Sequence, residues 1–486
     1  MKDAPKPSTA DSATVDVVSD AGRLRRALDA PDRVVASAGV SEWTANALER
    51  SGRGIDLSSA DLARADLAGL DLRGVMLNRA VLHSTRLDNA NLTGANLTCP
   101  GMEKTSLRGA TLRGTYLHAL AAQVCDFTSA DLSHVLDATG TMFHGCRFVD
   151  AVLAQSSFAG ATFYQCDLRG TNWRATALQG ATFNECLLDG AVFDYADLEQ
   201  VTMSKCHLDT LSFEGATGRG LTIQRPTAAS AVRLDGAQLP GLRLAGVRGD
   251  KWTARNAHLR DIDVVDCQLM NAKFANADLS GGRLVRCELS GIDLSEASLV
   301  GAALAYTSAA GAILRQAFAE NLAIHECSLP RVSFEGIKAR GLVVRDCDLS
   351  GAKMTGAYLY RAMFTGDPPR AMSLRGADFS GANLVQAHIA ADLTEACLVG
   401  AHASYARLNQ STLCDTDLRG ISLFDASMVK TDFTGAQLSV LRPPFFADRC
   451  TGLAEALTAA GDARALGYTE ELAKTLCHGT STSTLA

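Results

Sequence analysis

A period of five residues dominates this chain. From Leu57, every fifth residue as far as Leu132 is large and apolar at fifteen of sixteen positions. The frame slips by one residue near Leu136 and resumes from Phe143 to Phe213, where all fifteen positions are large and apolar. A second one-residue insertion falls within 218–233, and a third frame from Leu234 to Ile389 has 26 of 32 positions large and apolar. After a one-residue deletion, the last frame runs from Leu393 to Leu438 and is broken only at Ala403. A spacing of five fits neither the 3.6-residue period of a helix nor the two-residue period of a flat strand. The chain must instead turn a corner after every short extended edge.

The residues around each large position say how. Two places earlier stands a small residue, as at Ala60, Ala90, Ala161, Ala272 and Ala377. Between them is often Asp or Asn, as in Ala60-Asp61-Leu62 and Ala90-Asn91-Leu92, and Gly often follows two places later, as at Gly160 and Gly180. Residues two apart on an extended edge share a face, so the small and large residues point inward together. The cysteines count the edges. Cys146, Cys166, Cys186 and Cys206 recur every twenty residues in the small position, Cys125 joins them across the first insertion, and Cys267/Cys287 and Cys327/Cys347 repeat the interval with Thr307 in the gap. Twenty residues per coil means four sides per coil.

These residues resemble the pentapeptide-repeat family, with consensus A(D/N)LXX, over residues 55–440. The resemblance implies an all-β solenoid, a right-handed quadrilateral β-helix. About 77 repeats make about 19 coils, on the order of 90 Å of solenoid at ~4.8 Å per coil. Short α-helical caps are expected at both ends, because terminal coils would otherwise expose unpaired edges. Residues 1–20 read as a disordered tail and 21–54 as an N-terminal helical cap, with Trp43 and Leu48 covering the first coil. The stretch LRPPFFADRC leaves the repeat, and 441–486 reads as a C-terminal helical cap and tail, with helices in TGLAEALTAA and YTEELAKTLC.

Composition excludes several function classes. A net charge of −7 over 486 residues argues against direct nucleic-acid binding. No apolar run reaches the roughly 18 residues of a membrane span, and the N-terminus lacks the continuous apolar segment of a Sec signal. A cytoplasmic protein is expected, with export by a route other than Sec left open. The closest cysteines, Cys397 and Cys414, are seventeen apart, which excludes CxxC metal knuckles. The inward cysteines read as small apolar packing residues. His207, His144 and His325 are dispersed and outward, and no GxxxxGK[ST], HExxH or GxSxG motif occurs. No catalytic, metal or cofactor residues are assigned, and the chain reads as non-enzymatic.

The tyrosines are more telling, since Tyr116, Tyr164, Tyr195, Tyr306, Tyr358, Tyr360 and Tyr405 all avoid the inward positions. Outward Tyr and Arg favour interfaces. Tyr358, Tyr360, Arg361 and Arg370 form the candidate interface, beside the turn Gly366-Asp367-Pro368-Pro369-Arg370. Leu466, Leu472 and Leu476 are the candidate dimerisation residues, giving a homodimer through the C-terminal helices. The favoured function is a protein-binding scaffold presenting a long rigid surface to protein partners. The alternative that the resemblance implies is a DNA-mimicking inhibitor or protector of DNA gyrase or topoisomerase IV, conferring resistance to topoisomerase poisons. Charge weighs against it: B-DNA carries one charge per ~1.7 Å, or about 50 over that length, whereas this chain carries −7.

Overall fold

The structure is a computed structural model and describes residues 55–367, 372–439 and 445–459. The chain divides into two compact units at Arg233 and Leu234. In the first, seven three-residue strands pair in parallel and in sequence: β1 (Gly101–Glu103), β2 (Ala121–Gln123), β3 (Met142–His144), β4 (Thr162–Tyr164), β5 (Thr182–Asn184), β6 (Thr202–Ser204) and β7 (Thr222–Gln224). The second holds β8 (Arg243–Ala245), β9 (Asp263–Val265), β10 (Arg283–Val285), β11 (Ala303–Ala305), β12 (Ala323–His325), β13 (Val343–Arg345), β14 (Met363–Thr365), β15 (His388–Ile389), β16 (Ser427–Val429), β17 (Phe446–Asp448) and a helix, α1 (Leu453–Ala459). Each unit is a parallel β-solenoid. Seventeen strands undercount the coils, because those at Asp61, Val81 and Arg407 make only single bridges on that side.

Four ladders of parallel bridges, such as those starting at Asp56, Asp61, Asp66 and Asp71, confirm the four sides. We call them the strand side (β1–β17), the thiol side, the third side and the fourth side, in chain order. The frame slips are visible as register changes. Tyr116 pairs with Asp137 and Ala121 with Met142, 21 residues on, placing the first insertion at the exposed Leu136. His207 pairs with Ala228 and Ser212 with Arg233, which places the second.

One slip was hidden. Asp348 pairs with Ser373 and Met363 with His388, 25 residues apart. The register therefore gains one whole pentapeptide between Thr365 and Ser373, and the period-five frame counts through it without a break. Pro369, which holds a core place in that frame, belongs to the extra pentapeptide and lies outside the described residues. At its start Asp367 is tied down by its N–H to Asp346 Oδ1 (2.7 Å) and by Arg345 (3.0 Å).

A second correction concerns the C-terminal boundary. β17 pairs with β16 and Thr451 bridges Asp432, so the repeat continues beyond residue 440 instead of ending in LRPPFFADRC. Helix α1 then follows, with Leu453, Ala456 and Leu457 buried. The N-terminal cap residues 21–54, including Trp43 and Leu48, lie outside the described residues, as do Leu466, Leu472 and Leu476.

Asp and Asn before the large residue have a mechanical reason. Their Oδ1 accepts the N–H two residues on, as in Asp56–Ser58 (2.9 Å), Asp126–Thr128 (2.9 Å) and Asn383–Val385 (3.0 Å), an Asx-type turn at each corner. The following residue adopts positive φ, for example Ser59 at 58° and Gly180 at 69°. Gly215 shows why some corners require glycine beyond the backbone: a Cβ there would stand 2.7 Å from the Tyr195 ring of the preceding coil.

Inside, large residues stack coil on coil. Phe143, Phe163 and Phe183 stack at 5.0 and 4.9 Å on the strand side, and Trp173 meets Phe163 edge-to-face at 5.4 Å from the third side. The cysteines have a role that packing alone does not supply. Where the strand side forms a three-residue strand its corner with the thiol side is open, with no hydrogen bond from residue 166 back to Phe163, unlike the closed corner Ala161 N–H to Phe158 O (3.1 Å). The thiol of the next coil adds a donor to the carbonyl of the large residue: Cys166 to Phe143 (3.4 Å), Cys186 to Phe163 (3.4 Å) and Cys267 to Leu244 (3.4 Å). In the second unit the sulfur also accepts, as from Cys327 N–H to Cys347 Sγ (3.4 Å). Thr307 Oγ1 does the same work in the gap, donating to Leu284 O and accepting from Cys287 N–H. Cys and Thr interchange because both are small donor–acceptors. Burial pushes the Cys267 thiol up to about 12, so it stays protonated and able to donate.

Three outcomes follow. Phe163→Ala should cost about 3–5 kcal/mol in denaturant unfolding. Cys186→Val, which removes the thiol's hydrogen bond to the Phe163 carbonyl, should cost about 0.5–1.5 kcal/mol, and Cys186→Thr distinctly less. The corner carboxylates set an acid limit. Asp137 is held below its ordinary 3.8 by the Thr139 N–H, Asp209 by the Ser230 N–H, Asp417 by the Arg419 guanidinium and Asp432 by the Thr434 hydroxyl. A depressed native pKa gives stability that is full above the unfolded value and is lost as pH falls through the native one. Melting temperature should therefore be flat above about pH 5 and drop progressively below it.

Candidate functional site

The repeat is inverted at one place. At Ala317-Phe318-Ala319 the large residue stands outside and small ones inside, and Lys338-Ala339 in the next coil likewise puts Ala at the large position. Ala319 and Ala339 are fully buried, whereas Phe318 is 46% exposed. These two alanines are among the six breaks in the third frame, so the signal was in the sequence, but only the tyrosines were singled out there. Phe318, Lys338 and Tyr358 pair coil to coil on the fourth side, and Tyr358 bridges Asn383.

From this ladder the chain turns toward the strand side through Glu320, Arg340 and Tyr360, and then through the positive-φ residues Asn321, Gly341, Arg361 and Gln386. The corner collects rings and cations. Lys338 Nζ lies 4.3 Å from the Phe318 ring centre. Arg361 and Arg340 stand 5.1 and 5.8 Å from the Tyr360 ring centre. Tyr358 and Tyr360 stack at 6.4 Å. Gln386 Oε1 accepts from both Tyr360 Oη (3.0 Å) and Arg361 Nε (2.7 Å), fixing ring and guanidinium together. Around the corner, exposed Met363 and half-buried Val343 extend the apolar area. Three of the four cation–ring contacts among the described residues gather here; the fourth is Arg174 over Tyr195. The structure thus brings Tyr358, Tyr360 and Arg361 together and adds Phe318, Lys338 and Arg340; Arg370 lies outside the described residues.

The remaining outward tyrosines do not join them. Tyr405 meets Phe424 edge-to-face at 5.6 Å, and Tyr306 stands exposed at a different corner. A cavity of about 440 Å³ separates α1 from the last coil, lined by Arg419, Glu455 and chiefly apolar or backbone atoms of Ala436, Leu438 and Ala456. It brings no reactive constellation together.

Asp189, His207 and Asp209 are the one grouping among the described residues with ligand atoms close enough for a metal ion. Its geometry has an ordinary explanation. Asp189 Oδ1 accepts the Asp209 N–H (3.0 Å) and bonds His207 Nδ1. The same bracket recurs where Asp194 accepts the Glu214 N–H and the Ser212 hydroxyl, and where Asp235 accepts the Arg255 N–H and the Thr253 hydroxyl. His207 fills a place that Ser or Thr fills elsewhere, and Asp209 is engaged by Ser230 N–H (2.7 Å).

Two family models match the chain. The model described as pentapeptide repeat region covers 137–213 and 156–232. The one described as pentapeptide repeats (8 copies) covers 53–79, 76–114, 255–291, 283–318, 325–366, 372–404 and 404–439. Together they span well over half of the sequence. The chain belongs to the pentapeptide-repeat family. No curated protein matches this pentapeptide-repeat protein at a significant level. Among solved structures it is similar to full-length QnrB1, a plasmid-mediated fluoroquinolone resistance protein (17% identity, 41% of this chain and 93% of that one, TM-score 0.24). It is also similar to HetL, a pentapeptide-repeat protein involved in heterocyst differentiation regulation in the cyanobacterium Nostoc (17% identity, 68% and 97% covered, TM-score 0.11). The alginate lyase AlyGC shares 9% identity over 85% of this chain and 86% of its own, with TM-score 0.21. Likeness at these values carries no functional argument.

His207→Ser should preserve the bracket to Asp189, changing unfolding free energy by less than about 0.5 kcal/mol. Melting temperature should not respond to added Zn²⁺ in either protein, as differential scanning fluorimetry would show.

Proposed function

We propose that this pentapeptide-repeat protein is a non-enzymatic scaffold that binds a protein partner, and that the corner built by Phe318, Lys338, Arg340, Tyr358, Tyr360 and Arg361 is its contact surface. The observation that carries this reading is the inversion itself. A solenoid coil gains most by placing large apolar residues in its lumen, where burial of one is worth about 1.5–3 kcal/mol. Here Phe318 and Tyr358 stand outside, 46% and 43% exposed, while Ala319 occupies the lumen. Folding alone does not account for that choice. Rigid aromatic and Arg side chains in a fixed array are the groups that anchor protein interfaces, and the Gln386 hydrogen bonds order two of them before any partner arrives.

The reading as a DNA mimic draws no support from the charges. Carboxylates in both units hold arginines of the same or the next coil: Asp71 with Arg73, Asp66 with Arg86, Asp167 with Arg169, Asp278 with Arg260 and Asp266 with Arg286, at 2.6–2.7 Å. Such pairing leaves a mosaic instead of a continuous anionic face. No described helix is long and apolar enough to cross a membrane, and the homodimer through Leu466, Leu472 and Leu476 stays a proposal resting on the sequence.

The scaffold reading is tested by affinity capture from the native host with wild type and Tyr358→Ala/Tyr360→Ala. The double variant should melt within a few degrees of wild type and lose its specific partner, a drop of about 2 kcal/mol or more in binding. A partner held equally by both proteins would remove this corner from the account.

A further inference from the structure

We infer that the segment bound at this corner is an acidic stretch of protein chain interspersed with apolar side chains, an inference that rests on the scaffold reading. The charges around the corner are lopsided. Lys338, Arg340 and Arg361 face one acid, Glu320, whose nearest approach to Arg340 is 3.9 Å. Lys338 and Arg361 make no ion pair among the described residues and rest over aromatic rings instead. Elsewhere in the same unit, arginines close on carboxylates: Arg260, Arg286, Arg375 and Arg419 approach Asp278, Asp266, Glu395 and Asp417 at 2.6–2.7 Å. Acids on the neighbouring corner are themselves engaged, Asp346 by the Asp367 N–H and Asp367 by Arg345.

A cation stacked on a ring keeps outward donors free. Arg361 spends Nε on Gln386 and presents its terminal nitrogens to solvent in a fixed plane, which suits a carboxylate in two-point contact. Lys338 offers a second, point-like charge from the preceding coil, resting over Phe318. Phe318, Tyr358, Met363 and Val343 supply the apolar ground between and beside the cations. Carboxylates alternating with apolar side chains complement this in both charge and surface.

Single-stranded nucleic acid also stacks on aromatic side chains beside cations, and the corner disfavours it. A phosphate backbone needs a continuous cationic track, whereas Glu320 lies among these cations, Asp346 and Asp367 occupy the neighbouring corner, and the whole chain is net −7.

The test uses the full chain and fluorescence anisotropy with three labelled probes: a peptide of glutamates interspersed with leucines, its lysine–leucine counterpart, and oligothymidine. The glutamate peptide should bind, weaken with added salt, and lose roughly tenfold or more in affinity in Lys338→Glu/Arg361→Glu. Lys430→Glu, an exposed lysine in the same unit but at another corner, should leave binding unchanged. Failure of the glutamate peptide to bind, equal binding of the lysine peptide, tighter binding of oligothymidine, or an equal loss in Lys430→Glu would each overturn the inference. Thermal melts of all variants separate misfolding from lost contact, and a melted variant is replaced by Lys338→Gln/Arg361→Gln, for which the same loss is expected. If partner capture depends on Tyr358 and Tyr360 while the glutamate peptide does not bind, the scaffold stands and the acidic partner falls. If capture does not depend on them, the scaffold surface itself falls.

Discussion

Most backbone donors and acceptors on one coil find their partner on the next, about twenty residues along, and the corners close the remainder within the coil. This requirement governs the molecule, because an edge only a few residues long cannot satisfy its own backbone groups. It explains why the bridges hold a spacing of twenty over long runs, and why a single extra residue lengthens it on all four sides for one coil. The spacing is 21 from Tyr116–Asp137 to Asp131–Val152, and twenty holds again at Arg147–Asp167. It also explains the thiol side. Where a strand leaves its corner unclosed, the thiol one coil on gives the carbonyl of Phe143 or Phe163 a donor beside its ladder partner. A hydrogen bond of this kind contributes on the order of 0.5–1.5 kcal/mol, so donors such as Cys or Thr are favoured there over Ala.

The fold was legible because its governing period is written in side-chain size. Leu57 to Leu132 specify a lumen without reference to any long-range contact, and the twenty-residue cysteine interval specifies four sides. What escaped reading has a physical cause in each case. The extra pentapeptide between Thr365 and Ser373 preserves the period, so counting residues cannot detect it; only the jump from Asp348 to Ser373 reveals it. The last coil was missed because the sequence around Pro443 and Pro444 loses the pattern, although Phe445 to Asp448 rejoin the ladder. The cysteines were read as spacers, which is right for their size and incomplete for their chemistry, since hydrogen bonding to a carbonyl 23 residues earlier is invisible without the coil.

The candidate surface was half legible. Outward tyrosines can be read from phase alone, and Tyr358, Tyr360 and Arg361 do cluster. Phe318 and Lys338 went unnoticed because their signal is a defect: alanines where leucines belong. Consistency among propensity, packing and pattern specifies a fold, and the places where a sequence departs from it without structural gain are where function is expected. Ala319 is such a departure, whereas at Ala339 the buried Ile337 supplies the lumen instead, and His207 is not one, because its bracket with Asp189 repeats a structural device seen at Asp194 and Asp235.

The central claim is that one corner of the second unit, and not the length of the solenoid, meets the partner. Site-specific photo-crosslinking tests it most directly, with p-benzoylphenylalanine placed at Tyr358 in one protein and at Tyr306 in another, both outward tyrosines of the same unit. A discrete covalent adduct with one protein from position 358 and none from position 306 is the expected result. Adducts of equal yield at both positions, or at 306 alone, would contradict it.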